Sequence, residues 1–287
     1  MSKLIYIYHA MTMVALLCVS TTGYGNADVP AVTEMTISPG EIRLLKFKSA
    51  ENNLEIVCRD QKVLAQKNGD EYLAIVVESY FSELKSFECA LKDPNKTIST
   101  VKFTVLKREY KTEKLRVEPK LVELSAKDEE RRKSEREITE KIYKSSANKL
   151  LINSAFIKPL KSKITSVYGT SRSYNGVKKG QHLGVDFRAA IGKKIPSAND
   201  GVVAYSGEFL LAGNVVIIDH GLGVFTSYAH LSKRMVEAGD TITQGQIIGL
   251  GGNTGRSNGP HLHWTVTVHG EQVDGLNVIE EFKSAFK

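Results

Sequence analysis

The feature that most constrains this chain is a series of short β-forming runs separated by glycines, from about residue 155 to the end. Examples are GVVAYS, NVVIIDH, VFTSYAHL and QIIGLGG, which contain many β-branched and aromatic residues. Glycines between such runs permit tight turns and the close approach of neighbouring backbones. The pattern predicts a mostly antiparallel β domain over residues 155–287.

A second β-rich region precedes it, over residues 28–118. Its runs LEIVC, EYLAIVVESYF, FECAL and TVKFTVLKREY are separated by the turn signals SPG, NGD and DPN. Repeated short strands of this kind predict a small β-sandwich. The region shows no catalytic constellation, so we expect it to have a structural or targeting role.

A charged segment, residues 119–154, connects the two β regions. Its centre reads ELSAKDEERRKSEREITEKIYKSSANK, with both charge signs intermixed. Ser125 and Asp128 resemble a helix-capping box, and opposite charges recur four residues apart. We therefore predict an exposed helical linker, and a chain that is mainly β in its other two domains.

The N terminus has the composition of a secretory signal peptide. Lys3 precedes the apolar run AMTMVALLCVS, which small and polar residues follow. We expect residues 1–27 to be this signal, because the run is too short to cross a bilayer with ease, which takes about 20 apolar residues. A retained N-terminal anchor is the alternative. Lipid attachment at Cys18 is disfavoured, because Leu17 precedes it where a small residue is usual.

Export sets expectations for the cysteines and for partners. Removal of residues 1–27 leaves Cys58 and Cys89, which form a disulfide or stay as two buried thiols. Lys3 is the only charged residue removed, so the formal charge falls from +7 to +6. A basic, secreted or periplasmic protein suits an acidic partner such as a bacterial cell wall. Neither nucleic acid nor stable membrane insertion is expected after signal removal.

Two short motifs carry histidines at strand spacing. In GPHLHW, His261 and His263 share one face of a strand, because residues i and i+2 point the same way. In HLGVDF, His182 and Asp186 share a face with Gly184 between them, whose missing side chain lets both groups reach one point. These spacings indicate a metal site with a catalytic group beside it.

One division of roles follows from ligand chemistry. His182, Asp186 and His263 would supply two imidazoles and one carboxylate, donors that zinc accepts. His230, at the end of the run YAHL, and His261 would then stay unliganded nearby. Imidazole titrates near neutral pH, so general acid and base roles suit both.

Residues from about 155 to 278 resemble the M23 family of zinc metallopeptidases, the lysostaphin-like or LytM-type domain. The resemblance covers a little under half of the chain and is collinear. It is carried by the motifs VYGTSR, HLGVDF, IPSANDGVVAYSG, GNVVIIDHGLGVFTSYAHLS, VEAGDTITQGQIIGLGGNTGRSNGPHLHW and VDGLN.

The resemblance implies a Zn2+ cofactor held by His182, Asp186 and His263, with His230 and His261 as the catalytic histidines. All five positions carry the family's residue type. It also implies a compact antiparallel β fold with a narrow groove over the metal. The implied activity is that of an exported zinc-dependent endopeptidase, which hydrolyses peptide cross-links of bacterial peptidoglycan.

Two alternatives stay open. A catalytically inactive LytM-type regulator of a cell-wall hydrolase would usually have lost metal ligands, and none is lost here. An endopeptidase for glycyl-glycine bridges is the other. The N-terminal sandwich, without a recognisable C-terminal wall-targeting module, favours D-alanyl cross-links by analogy.

Several further residues carry expectations. His220 and His269 lie in turn sequences and are predicted to be structural and exposed, respectively. Tyr168, Arg172 and Asn214 are candidates for lining the groove.

Thr265 stands where many members of the family carry an acid. Which group forms the outer hydrogen bond that orients the ligand side chains therefore stays open.

Overall fold

A computed structural model describes most of the chain, in the ranges 16–17, 31–49, 54–93, 97–116, 123–176 and 178–286. The predicted signal peptide lies outside the described residues, apart from the two-residue strand β1 (Leu16–Leu17), which pairs in parallel with the later strand β3. Among the described residues, no helix is both long and apolar enough to cross a membrane.

Two sheets form the N-terminal region, as the short β runs predicted. Their strands, after β1, are β2 (Ala31–Ile37), β3 (Ile42–Lys48), β4 (Glu55–Cys58), β5 (Gln61–Val63), β6 (Ala65–Asn68), β7 (Glu71–Val77), β8 (Phe87–Lys92) and β9 (Thr97–Val105). One sheet has the order β1-β3-β7-β6 and the other β2-β9-β8-β4-β5. A shared apolar core lies between them, which makes the region a β-sandwich.

A disulfide joins Cys58 and Cys89 inside this sandwich, as one of the two sequence readings predicted. The two residues are direct partners across β4 and β8. Both side chains are buried. The cross-link therefore fixes two strands that 31 positions of sequence separate.

The sheet that contains β3 and β7 is buried on both faces. Leu45 and Phe47 point into the sandwich core. Ile42 and Leu44, which alternate with them, join the core of the C-terminal region instead. The two β regions therefore pack together through an apolar interface.

The predicted linker helix is α1 (Ala126–Lys144). Ser125 caps it, because its hydroxyl accepts a hydrogen bond from the backbone N–H of Asp128. None of its residues is fully buried. It nevertheless docks on the C-terminal region, where Ile142 and Tyr143 pack against an apolar cluster and Glu135 accepts the backbone N–H of Leu210.

An antiparallel sheet forms the centre of the C-terminal region, with the order β11-β14-β22-β18-β17-β16-β20 and with β23 beside β22. This confirms the predicted fold class. A smaller sheet has the order β15-β21-β19. The elements are β11 (Ile164–Ser166), β12 (Thr170–Tyr174), β13 (Lys178–His182), β14 (Val185–Arg188), β15 (Lys194–Pro196), β16 (Gly201–Phe209), β17 (Gly213–Asp219), β18 (Val224–Leu231), β19 (Lys233–Arg234), β20 (Thr241–Ile242), β21 (Ile247–Leu250), β22 (His261–Val268), β23 (Glu271–Val273) and α2 (Gly275–Ala285).

One strand leaves the sandwich to join the C-terminal region. β10 (Thr112–Leu115) lies within residues 28–118, which the sequence assigned to the sandwich. It pairs in parallel with β12, in a sheet with the order β10-β12-β13. The pairing joins segments that are far apart in sequence, so no local sequence pattern predicts it.

His220 is a buried structural residue, as predicted. It follows β17 and is fully shielded from solvent. Its Nδ1–H donates to the carbonyl of Asp200, and its Nε2 lies 2.7 Å from Thr226 Oγ1. Burial lowers its pKa from 6.5 to about 4.

This burial predicts an acid-sensitive step in stability. Between pH 6.5 and pH 4 the unfolded chain binds a proton at His220 that the folded protein does not, so the free energy of unfolding falls as the pH falls. We expect His220→Gln to remove about 2 kcal/mol of the loss between pH 7 and pH 5, measured by urea unfolding at both pH values. Equal losses in the parent and the variant would contradict this assignment.

Candidate metal centre

Adjacent strands of the large sheet bring the five predicted site residues to one place. β14 carries Asp186, β22 carries His261 and His263, and β18 carries His230 near its end. The register pairs Asp186 with His263 across β14 and β22. His182 comes from the last position of β13, in the sheet with the order β10-β12-β13.

The spacing in HLGVDF had suggested one continuous strand, but the structure divides the motif between two strands. β13 ends at His182, and β14 begins at Val185. The chain crosses between two sheets at Gly184, where a Cβ atom would lie 2.6 Å from His263 Cε1 and 2.8 Å from a backbone oxygen. Glycine is needed here because the backbone passes directly against a site side chain.

Three ligand-type atoms converge at the centre of the site. His182 Nε2 lies 2.9 Å from Asp186 Oδ1 and 3.0 Å from His263 Nδ1. His263 Nδ1 lies 2.8 Å from Asp186 Oδ1. The structure therefore assembles the predicted set of two imidazoles and one carboxylate as a group able to hold a metal ion.

Outer hydrogen bonds turn the two imidazoles towards this point. His182 Nδ1 lies 3.0 Å from the carbonyl oxygen of Val167, which only accepts, so Nδ1 carries the proton and Nε2 is left with a lone pair. His263 Nε2 lies 3.0 Å from Thr265 Oγ1, so Nδ1 faces inward. Two ring nitrogens and a carboxylate facing one another form a set of acceptors that a cation fits.

Thr265 stands where many members of the family carry an acid, and its side chain contacts His263. A hydroxyl, rather than an acid, is the outer partner of His263.

Asp186 is ionised although it is buried. Burial raises the pKa of Asp186, but its close contacts with the imidazoles of His182 and His263 outweigh burial and hold the pKa well below its usual range. Its second oxygen, Oδ2, accepts from Arg172 Nη2 at 2.6 Å. The carboxylate thus presents Oδ1 to the histidines while Arg172 holds Oδ2.

His230 and His261 lie beside this group and share one pattern of hydrogen bonding. Each donates Nδ1–H to a backbone carbonyl at 2.8 Å, His230 to Thr254 and His261 to Gly259. In the neutral form of each ring, Nε2 on the other side is therefore the nitrogen with the lone pair. The two ring centroids are 4.8 Å apart, and His261 Nε2 lies 3.7 Å from Asp186 Oδ1.

The environment of His230 is unusual in two respects. Burial, with the neighbouring His263 and His261, lowers its pKa from 6.5 to about 3, so the ring is neutral at physiological pH. Its backbone has a φ of +60°, in the left-handed region that residues other than glycine rarely adopt. Strain of this kind costs about 1–3 kcal/mol and is concentrated at functional positions.

A groove of about 640 Å³ runs over these side chains. Arg172 lines it, as the sequence suggested. Tyr168 does not: its side chain is buried, and its hydroxyl donates to the carbonyl of Gln272. Asn214 lines a different, shallow depression, with its amide hydrogen-bonded to Leu231 O.

Sequence reasoning missed several residues around the site. Glu113 on β10 lines the groove and accepts a hydrogen bond from Ser166 Oγ at 3.1 Å. Ser166 Oγ in turn lies 3.2 Å from His182 Nδ1. Glu113 carries no local signal, because its place depends on the pairing of β10 with β12.

Comparison with known proteins shows that part of this chain is similar to peptidases. Residues 180–275 match the model of peptidase family M23. The peptidoglycan DD-endopeptidase ShyA of Vibrio cholerae is 41% identical over 117 residues, which is 40% of this chain and 27% of that protein. The DD-carboxypeptidase/endopeptidase Mpg of Neisseria meningitidis is 40% identical over 97 residues, which is 34% of this chain and 22% of that protein. The chain thus spans only about a quarter of the length of these relatives.

The fold extends over more of the chain than the sequence match. A crystal structure of a Pseudomonas aeruginosa protein named after peptidase M23 superposes with a TM-score of 0.67, covering 89% of this chain and 97% of that one. The two are 22% identical, so this likeness concerns the fold alone.

The converging ligand atoms predict a direct effect on metal binding. His263→Ala removes an inward-facing nitrogen, so we expect zinc affinity to fall by more than the roughly 10–100-fold that loss of an outer partner costs. The zinc content per chain is measured after dialysis, and the zinc affinity is measured by competition with a chelator. His269→Ala, in the exposed turn after β22, is the matched control and should bind zinc as the parent does. Equal zinc content in both variants would remove His263 from the site.

Proposed function

We propose that the protein is an exported zinc-dependent endopeptidase that hydrolyses peptide cross-links of bacterial peptidoglycan, because residues 180–275 match the model of peptidase family M23. The observation that carries this proposal is the pairing of two groups in one groove. His182, Asp186 and His263 form a group that could hold a metal ion, and the two histidines beside it each donate Nδ1–H to a backbone carbonyl and turn Nε2 the other way.

Zinc is the metal that we propose for this site. Two imidazole nitrogens and one carboxylate oxygen form a borderline donor set that suits Zn2+. Three protein ligands also leave a position open, as in catalytic rather than structural zinc sites. When bound, zinc supplies Lewis acidity, which polarises a carbonyl group and lowers the pKa of a neighbouring water molecule.

His230 and His261 supply proton transfer in this proposal. An unprotonated Nε2 on one of them would accept a proton from the attacking water molecule. The imidazolium so formed would then give that proton to the leaving amine, with the second ring beside it. The backbone carbonyls of Thr254 and Gly259 hold both rings, so that Nδ1 stays protonated and Nε2 faces the groove. General acid–base help of this kind is worth about 10²–10⁴-fold in rate.

D-alanyl cross-links of peptidoglycan are the proposed substrate. Support comes from the relatives, several of which are named as peptidoglycan DD-endopeptidases. The complete ligand set disfavours the alternative of an inactive regulator.

Export is part of the same proposal. Peptidoglycan lies outside the cytoplasm, and residues 1–27 have the composition of a signal peptide. The disulfide between Cys58 and Cys89 suits an oxidising compartment such as the periplasm or the exterior.

Digestion of purified peptidoglycan tests the proposal. We expect zinc-loaded protein to convert cross-linked peptide dimers to monomers, and a chelator to abolish the conversion, with products identified by mass. Walls joined by D-alanyl bonds and walls joined by glycine bridges, assayed side by side, identify the bond that is cleaved. Absence of product from protein that holds one zinc per chain would contradict an enzyme and favour the regulator.

His230→Ala separates catalysis from metal binding. Since His230 is outside the proposed ligand group, we expect the zinc content of the variant to match that of the parent while its kcat falls by about 10²–10⁴-fold. The assay is turnover of a soluble cross-linked peptide, with zinc measured in the same samples and His269→Ala as the control. Near-normal turnover by His230→Ala would refute its assignment.

A further inference from the structure

Strand β10 brings a carboxylate to the metal-ligand group from outside the family domain. It pairs with β12 in a register that places Glu113 beside Arg172. Glu113 and Leu115, two positions apart, both line the groove, as expected for residues on one face of a strand. The Glu113 side chain therefore faces the site, although residues 180–275 do not include it.

Glu113 contacts two side chains, and each of these contacts a proposed metal ligand. Ser166 Oγ lies 3.1 Å from both carboxylate oxygens of Glu113 and 3.2 Å from His182 Nδ1. Arg172 Nε lies 3.5 Å from Glu113 Oε2, and Arg172 Nη2 lies 2.6 Å from Asp186 Oδ2. Two short relays thus connect one carboxylate to two ligands.

The first relay sets the direction of a hydrogen bond. A serine hydroxyl has one proton, and Ser166 donates it to Glu113. Its oxygen can then only accept from His182 Nδ1–H, at 3.2 Å, and it shares that proton with the carbonyl oxygen of Val167, at 3.0 Å. This leaves the Nε2 lone pair of His182 directed at the metal position.

The second relay balances charge. Arg172 lies beside the metal position, where its positive charge would oppose a bound cation. Glu113 offsets that charge, while Arg172 keeps its hydrogen bond to Asp186 Oδ2 and leaves Oδ1 facing the histidines.

We propose that Glu113 is a positioning residue for the metal centre, acting through Ser166 and Arg172, so that the segment before α1 completes a site formed mainly by the peptidase domain. This inference rests on the metal site proposed above. Outer partners of metal ligands change metal affinity by about 10–100-fold when they are removed. The same size of effect is expected here.

The test compares full-length variants for metal binding without substrate. Glu113→Gln keeps the size of the side chain and removes its charge, whereas Glu113→Ala removes both relays. Glu109→Gln is the matched control, because Glu109 is in the same segment with a side chain 90% exposed. Zinc Kd is measured by chelator competition, the visible spectrum with Co2+ reports ligand geometry, and thermal unfolding reports the fold.

We expect the zinc Kd to rise by about 10-fold in Glu113→Gln and by about 10–100-fold in Glu113→Ala, with altered cobalt bands in both. Glu109→Gln should match the parent. An unchanged Kd and cobalt spectrum in both Glu113 variants overturns the proposal, and a lower unfolding temperature with the same Kd and spectrum does so too. Failure of the parent to bind zinc would refute the metal centre itself, and the proposed function with it.

Discussion

The antiparallel pairing of β14 with β22 is the constraint on which the site depends. It sets Asp186 opposite His263, and the same pairing fixes His261 on the same face of β22, two positions away. Side chains alternate along a strand, so a slip of one residue would turn a proposed ligand away from the groove and an apolar residue into it. The fully buried neighbours Leu262 and Trp264 resist such a slip, because either would then lose its place in the core.

The orientation of each imidazole depends on backbone carbonyls and hydroxyls rather than on other site residues. Val167, Thr254 and Gly259 each accept an Nδ1–H, while Thr265 bonds the opposite nitrogen of His263. The rings are thus held before any metal or substrate arrives. Such preorganisation lowers the cost of assembling a charged site.

Much of this could be predicted from the chain alone. The β-rich pattern indicated two β regions and a charged helix, and the histidine motifs indicated five residues that the structure brings together. Three expectations were wrong. HLGVDF is not one strand, and neither Tyr168 nor Asn214 lines the groove. Each depends on contacts between distant segments, as at Gly184, which passes against His263. Local alternation cannot reveal where a chain leaves one sheet for another.

The sequence by itself determined the kind of chemistry that we propose, because only certain residue types bind zinc or move protons near neutral pH, and their spacing along strands is local. The tertiary structure alone decided which partners hold those residues. The docking of β3 and β7 on the C-terminal core, and the pairing of β10 with β12 that brings Glu113 to Arg172 and Ser166, join distant parts of the chain. Such contacts form because apolar faces and strand edges must be covered, and that requirement is met only in the folded protein.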